Sequence, residues 1–257
     1  MWAVRNAVAL LTRFPVATAD TDTPGASAFA IVGAGVGLVG AIPLAVLAGV
    51  AGEPLLGAIA AVAMVALVTG ALHLDGLGDT ADALMARDAV AAERARTDPV
   101  LGTGGVITII LVIATEIAAL VSITTGVGAL TAGLTFVATL TASRTVPLVV
   151  RWLGRARTGD TPLGSWFAER VTPLDTGFAC GSGAVIVAAL AIAASSLGSS
   201  GTADATTVTA AGAAAAVIGS GLAAIIVALR RGLDGDGMGA AVELSVVAGL
   251  VAAALVA

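Results

Sequence analysis

Seven apolar runs of about 20 residues, near 28–51, 55–74, 104–126, 128–150, 178–198, 207–229 and 238–257, leave almost no chain between them. A helix needs about 20 residues to cross the roughly 30 Å hydrocarbon core of a bilayer. Inside that core only helices and closed barrels satisfy their own backbone polar groups, and runs this continuous predict helices. The chain is 58% hydrophobic and only 11% charged, with a mean hydropathy of +1.04. Soluble domains carry roughly a quarter charged residues. The expectation is an all-α, polytopic integral membrane protein: about seven transmembrane helices in one membrane-embedded unit over 1–257, plus short amphipathic helices. The longest polar segments are about 30 residues, too short for an independent core. Residues 1–16 carry Arg5 and Arg13 without a small-residue cleavage site, so they read as an amphipathic surface helix rather than a signal peptide.

Orientation follows from arginine, the only basic side chain apart from the single histidine. With the N-terminus in the cytoplasm, the inner segments are 1–27, 75–103, 151–177 and 230–237, and they hold eleven of the twelve arginines. The twelfth, Arg144, sits near the inner end of the fourth run, and the outer loops (52–54, about 127, 199–206) contain none. So complete an asymmetry obeys the positive-inside rule and puts the C-terminus outside. Only Glu53, Asp204 and the mid-membrane Glu116 fall away from the inner side among the acids. Without lysine there is no Schiff-base chemistry, and one cysteine, Cys180, excludes an internal disulfide.

The densest polar segment is His73-Leu74-Asp75-Gly76-Leu77-Gly78-Asp79-Thr80-Ala81-Asp82, at the mouth of the second run. Asp75, Asp79 and Asp82 stand at i, i+4 and i+7, within about 60° of one another on a helix. Like charges on one face repel, and a divalent cation reverses that cost. Oxygen-only ligands suit Mg²⁺ or Mn²⁺ rather than zinc. Gly76 and Gly78 are costly in a plain helix, by about 1 kcal/mol each, and mark a special backbone or a close approach. On a regular helix His73 points away from the aspartates and joins them only if those glycines bend the chain.

Two further loops flank membrane helices. Asp98-Pro99-Val100-Leu101-Gly102-Thr103-Gly104-Gly105 precedes the third run, where backbone amides and a helix dipole suit an anion. Arg230-Arg231-Gly232-Leu233-Asp234-Gly235-Asp236-Gly237-Met238-Gly239, followed by Glu243, opens like a calcium loop, but Met238 and Ser245 fall where later ligands should stand. Aspartates between glycines beside two arginines fit the second half of a metal–phosphate site. Arg144, in Ala142-Ser143-Arg144, is costly unless it meets an anion or snorkels, and Glu116 is a functional candidate by its depth.

Taken in order, these pieces resemble the cobalamin synthase family of membrane adenosylcobinamide-GDP ribazoletransferases. Leu11-Thr12-Arg13-Phe14-Pro15 is similar to the family's opening, and residues 73–82 match its His-x-Asp-Gly-Leu-x-Asp-Thr-x-Asp signature. Asp98, Gly102 and Gly105, Ser143-Arg144, and Gly235-Asp236-x-x-Gly239-Ala240 fit its remaining motifs. Val100 stands where the family usually has arginine, and Gly104 where it usually has an aromatic residue. The resemblance implies Mg²⁺-dependent phosphoryl transfer from adenosylcobinamide-GDP to α-ribazole or its 5′-phosphate, releasing GMP. It implies Asp75, Asp79, Asp82 and Asp236 as metal ligands, with His73 or an aspartate taking the hydroxyl proton. Arg13, Arg144, Arg231, Asp98 and Gly102 become substrate-binding candidates.

The expected surroundings are those small molecules and the lipid bilayer of a bacterial inner membrane. The active site would lie on the cytoplasmic face, with no nucleic acid involved. Glycines 33, 37 and 40 suit close helix packing, and a homo-oligomer is compatible with the sequence. Two alternatives remain open. A CDP-alcohol-type phosphotransferase also strings aspartates on a helix, but Ala83-Leu84-Met85-Ala86-Arg87 lacks its glycine and alanine-arginine order. A proton-coupled transporter using Glu116 would put its key charges at mid-membrane, and nearly all of them lie at the inner face.

Overall fold

The structure is a computed structural model, described here for residues 2–18, 22–97, 100–152, 162–198, 201–230, 232 and 234–257. Among these the chain is predominantly helical, with no strand. In order come α1 (Trp2–Leu11), α2 (Phe29–Leu44), α3 (Pro54–Thr69), α4 (Leu72–Met85), α5 (Ala89–Thr97) and α6 (Thr103–Val127). There follow α7 (Ala129–Ser143), α8 (Val146–Val150), α9 (Pro162–Arg170), α10 (Pro173–Leu197), α11 (Thr202–Arg230) and α12 (Gly235–Ala254). Six helical units are long and apolar enough to cross a membrane, or seven if α3 and α4 are one broken span.

That break corrects the second run, read as 55–74. Helix α3 stops at Thr69, and α4 leaves at 91° to it. Gly70 and Ala71 both adopt the left-handed conformation, with φ of 64° and 57°. Glycine takes this freely; alanine pays about 1 kcal/mol or more for it. The Arg13 amide donates to the Val68 carbonyl at 2.8 Å, and the Arg13 side chain lies across Gly70, which ties the N-terminal segment to this corner. The aspartate ladder therefore rides on a helix turned sideways at the end of a short span.

Small residues bring the central helices together. A Cβ added at Gly33 would stand 2.5 Å from the Leu140 carbonyl, and one at Gly37 would stand 2.8 Å from the Val137 Cα, so α2 lies directly on α7. Helices α7 and α12 form the buried centre, while α6, α10 and α11 turn residues such as Ile107, Leu111, Val185 and Val217 outward, an apolar surface suited to lipid.

The chain runs back and forth between two faces. One face joins α1, the α3–α4 corner and the ends of α6, α7, α10, α11 and α12. It is held by Asn6 donating to the Thr23 carbonyl (3.0 Å), Arg151 to the Ala168 carbonyl (2.9 Å) and Trp152 to Thr176 Oγ1 (3.0 Å). The opposite face is held by the buried Asp204 accepting from Thr131 (2.7 Å) and by Gly126 packed against the C-terminal Ala257. Among the described residues, Arg5, Arg13, Arg151 and Arg170 belong to the first of these faces.

Candidate active site

Helix α4 is clamped between α6 and α12 by its glycines. A Cβ at Gly76 would meet the Asp236 carbonyl at 2.9 Å and its Cα at 3.0 Å. From the other side, one at Gly239 would meet the His73 carbonyl at 3.2 Å. A Cβ at Gly105 would meet the Gly78 carbonyl at 2.8 Å. Gly76 and Gly78 therefore do not bend the helix, which is regular over Leu72–Met85; they permit backbone contact. Asp234 caps α12 by accepting from the Gly237 amide at 2.8 Å, which fixes where the following Asp236 stands.

The first turn of α4, the first turn of α12 and the α7–α8 junction enclose a cavity of about 130 Å³. Its polar lining is His73, Asp75, Arg144 and Asp236; Leu10, Leu11, Phe29, Leu163, Phe167 and Met238 are among its apolar lining. The requirement that glycines bend α4 before His73 could join Asp75 is overturned. Both residues line the pocket because it wraps around the start of an unbent helix.

Arg144 is 2% exposed and His73 5% exposed. Arg144 Nη1 donates to Ser143 Oγ at 2.9 Å, whereas Arg144 Nη2 and His73 Nδ1 have no hydrogen-bond partner among the described residues. Buried polar atoms left unpaired cost about 1–3 kcal/mol each, more when charged, so two of them on one pocket mark a place where a ligand completes the bonding. Arg144 does not snorkel. It lies in the field of two buried carboxyls, Glu116 and Glu243, which face each other from α6 and α12 beneath the pocket. Sequence reading raised Glu116 for its depth and Glu243 only as the acid after the 230–239 loop; that the two lie opposite each other depends on how α6 meets α12.

The other candidates separate. Asp82 accepts from the Gly102 amide at 2.6 Å and the Gly105 amide at 2.8 Å, so it holds the start of α6. Gly102 is the other half of that tether. Asp79 is partly exposed and does not line the pocket. Among the described residues no three histidine, cysteine, aspartate or glutamate side chains converge as a metal site. The set of Asp75, Asp79, Asp82 and Asp236 is thus not gathered, and only Asp75 and Asp236 share the cavity. Arg13 sits at the α3–α4 corner, outside the lining. Asp98 and Arg231 lie outside the described residues. The apolar walls from α1 and α9 were not foreseen; the spacing of Leu163 and Phe167, one helical turn apart, was their only signal.

The model of the Cobalamin-5-phosphate synthase family matches residues 3–254. The chain belongs to that family. Proteins called adenosylcobinamide-GDP ribazoletransferase are similar to parts of it. The one from Pyrobaculum aerophilum is 38% identical over 122 residues, covering 47% of this chain and 50% of its own. Those from Thiobacillus denitrificans and Rhizobium etli are 45% and 43% identical over 89 and 94 residues, each covering 36% of its own length. The chain thus spans half or less of the length of these curated relatives. No solved structure matches. Within a cobalamin-5-phosphate synthase, a pocket of two acids and a buried arginine is suited to phosphate chemistry, since metal-bound carboxylates and cations neutralise developing charge there.

Proposed function

We propose that this protein is an adenosylcobinamide-GDP ribazoletransferase, working at the pocket between α4 and α12. The observation that carries the reading is Arg144, an arginine buried beside His73, Asp75 and Asp236 with Nη2 left unpartnered. Such a guanidinium suits a phosphate oxygen. The acceptor is α-ribazole or its 5′-phosphate. A ribose hydroxyl oxygen forms a bond to the phosphorus attached to cobinamide, the phosphoanhydride bond to GMP breaks, and GMP leaves with the bridging oxygen. His73 Nδ1, without a protein partner, accepts the hydroxyl proton, and Arg144 holds the phosphoryl oxygens in line.

Mg²⁺ is the proposed cofactor, and the residues fit it. Magnesium is commonly held by one or two carboxylates, several waters and substrate phosphates, so Asp75 and Asp236 suffice without a third protein ligand. When bound it would neutralise pyrophosphate charge and ease departure of GMP. The arginine-rich face carrying the pocket is proposed to be cytoplasmic, in a bacterial inner membrane. The test is to incubate the protein in lipid with adenosylcobinamide-GDP, α-ribazole and Mg²⁺. GMP and the joined corrinoid nucleotide should appear together; folded protein that yields neither overturns the reading.

A further inference from the structure

Beneath the pocket lies a second, smaller space, and helices α4 and α12 serve both. His73 and Asp75 line the pocket and Leu74 the lower space; Val242 lines the pocket and Glu243 the lower space. We infer that Glu243 is a positioning residue for Arg144, and that Glu116 supports it by sharing one proton with it. The inference rests on the proposed transfer and adds what holds its arginine in place.

Room is the first argument. The lower space holds about 20 Å³, enough for one water and too little for a phosphate or a nucleoside. Val62, Val65, Phe136, Leu140 and Val246 wall it with hydrocarbon, and the Thr69 hydroxyl is taken up in donating to the Val65 carbonyl at 2.9 Å. The two acids therefore meet no substrate and act on the residues around them.

Charge is the second. Glu116, Glu243 and Arg144 are each more than nine-tenths buried, and a buried charge is costly unless it is paired. Arg144 lies in the field of both acids and feels Glu243 more strongly than Glu116. The two carboxyls are also within hydrogen-bonding reach of each other. An ionised carboxylate only accepts, so that contact requires one proton for the two. The pair then carries one negative charge against the single positive charge of Arg144. Glu116 Oε1 has no hydrogen-bond partner among the described residues, which suits the carbonyl oxygen of a neutral acid. Glu116 thus holds the proton and Glu243 the charge. With Arg144 Nη1 on Ser143 Oγ and the counter-charge beneath, the guanidinium is held without its Nη2 being used up.

The experiment is steady-state kinetics with adenosylcobinamide-GDP and α-ribazole, read beside thermal unfolding of the lipid-reconstituted protein. Glu243→Gln should lower kcat/KM for the donor about 10- to 100-fold, the usual cost of losing an orienting partner, with the α-ribazole KM held within about twofold. Glu243→Asp keeps the charge and should recover most of that loss. Glu116→Gln keeps a donor for Glu243 and should lose less than about threefold. Glu243→Gln should also melt below wild type, because Arg144 is left buried and alone, and adding Arg144→Gln should raise the melting temperature again. A Glu243→Gln chain too unstable to isolate, beside a double variant that folds, supports the pairing equally. Equal kinetic losses in Glu116→Gln and Glu243→Gln, or a double variant that melts no higher than Glu243→Gln, overturns the inference. Recovery of the double variant needs no turnover, so that result in a protein whose wild type never releases GMP keeps the pairing and overturns the transfer.

Discussion

Asp82 and Asp75 lie two turns apart on one helix and do different things. Both oxygens of Asp82 are taken by the Gly102 and Gly105 amides, at the positive end of the α6 dipole. Replacing Asp82 by alanine should lower stability by about 1–2 kcal/mol, since one of these contacts is open to solvent. The Mg²⁺ concentration for half-maximal rate should stay put in that variant and rise in Asp75→Ala. A magnesium titration of both variants decides it; equal shifts would make Asp82 a ligand after all. The i, i+4, i+7 spacing made the shared face of the acids legible. It could not say that the amides of residues 102 and 105 would come to lie against the last of them. Asp236 was legible for a similar reason, as an acid between glycines, whereas the partnership of Glu243 with Glu116 depends on the register of two helices far apart in the chain.

Helices are positioned by contacts that glycine allows. Gly76→Ala would drive a Cβ to within 3.0 Å of the Asp236 backbone, which cannot rotate away as a side chain can. Overpacking of this kind costs about 1–3 kcal/mol and should pull α4 off α12, lowering both melting temperature and activity. Gly35→Ala meets nothing within 4 Å and should be neutral or slightly stabilising, the control for a general glycine effect. Ala71→Gly should raise stability by up to about 1 kcal/mol by relieving its positive φ, read by thermal unfolding. The corner at 70–71 explains why the second span was read too long. Hydropathy continues through Leu72 and Leu74, so an apolar window sees no end there. Gly70 was the one local sign of a turn, and Ala71 gave none.

At the scale of the molecule, six long apolar helices, or seven passes if α3 and α4 are one broken span, leave the pocket on the side where Arg5, Arg13, Arg151 and Arg170 lie. The all-α polytopic fold was readable because a bilayer leaves a chain this apolar few choices. The pocket walls were not, because α1 was read as a surface helix and α9 as part of the inner segment 151–177, and their apolar faces close over the site only in three dimensions. The proposed orientation has its own test in a Cys180→Ser background. A membrane-impermeant maleimide should label Glu53→Cys in intact cells and Arg87→Cys only in inverted vesicles; the reverse pattern would turn the protein over. The central claim is that transfer occurs between α4 and α12, and GMP release by the lipid-reconstituted protein tests it most directly. Wild type should release GMP only with both substrates and Mg²⁺ present. Asp75→Asn and Asp236→Asn should each lose at least about 100-fold in rate while melting like wild type, as expected for removal of charge from a metal–phosphate site. Near-wild-type rates in both folded variants would contradict the claim and move the chemistry elsewhere.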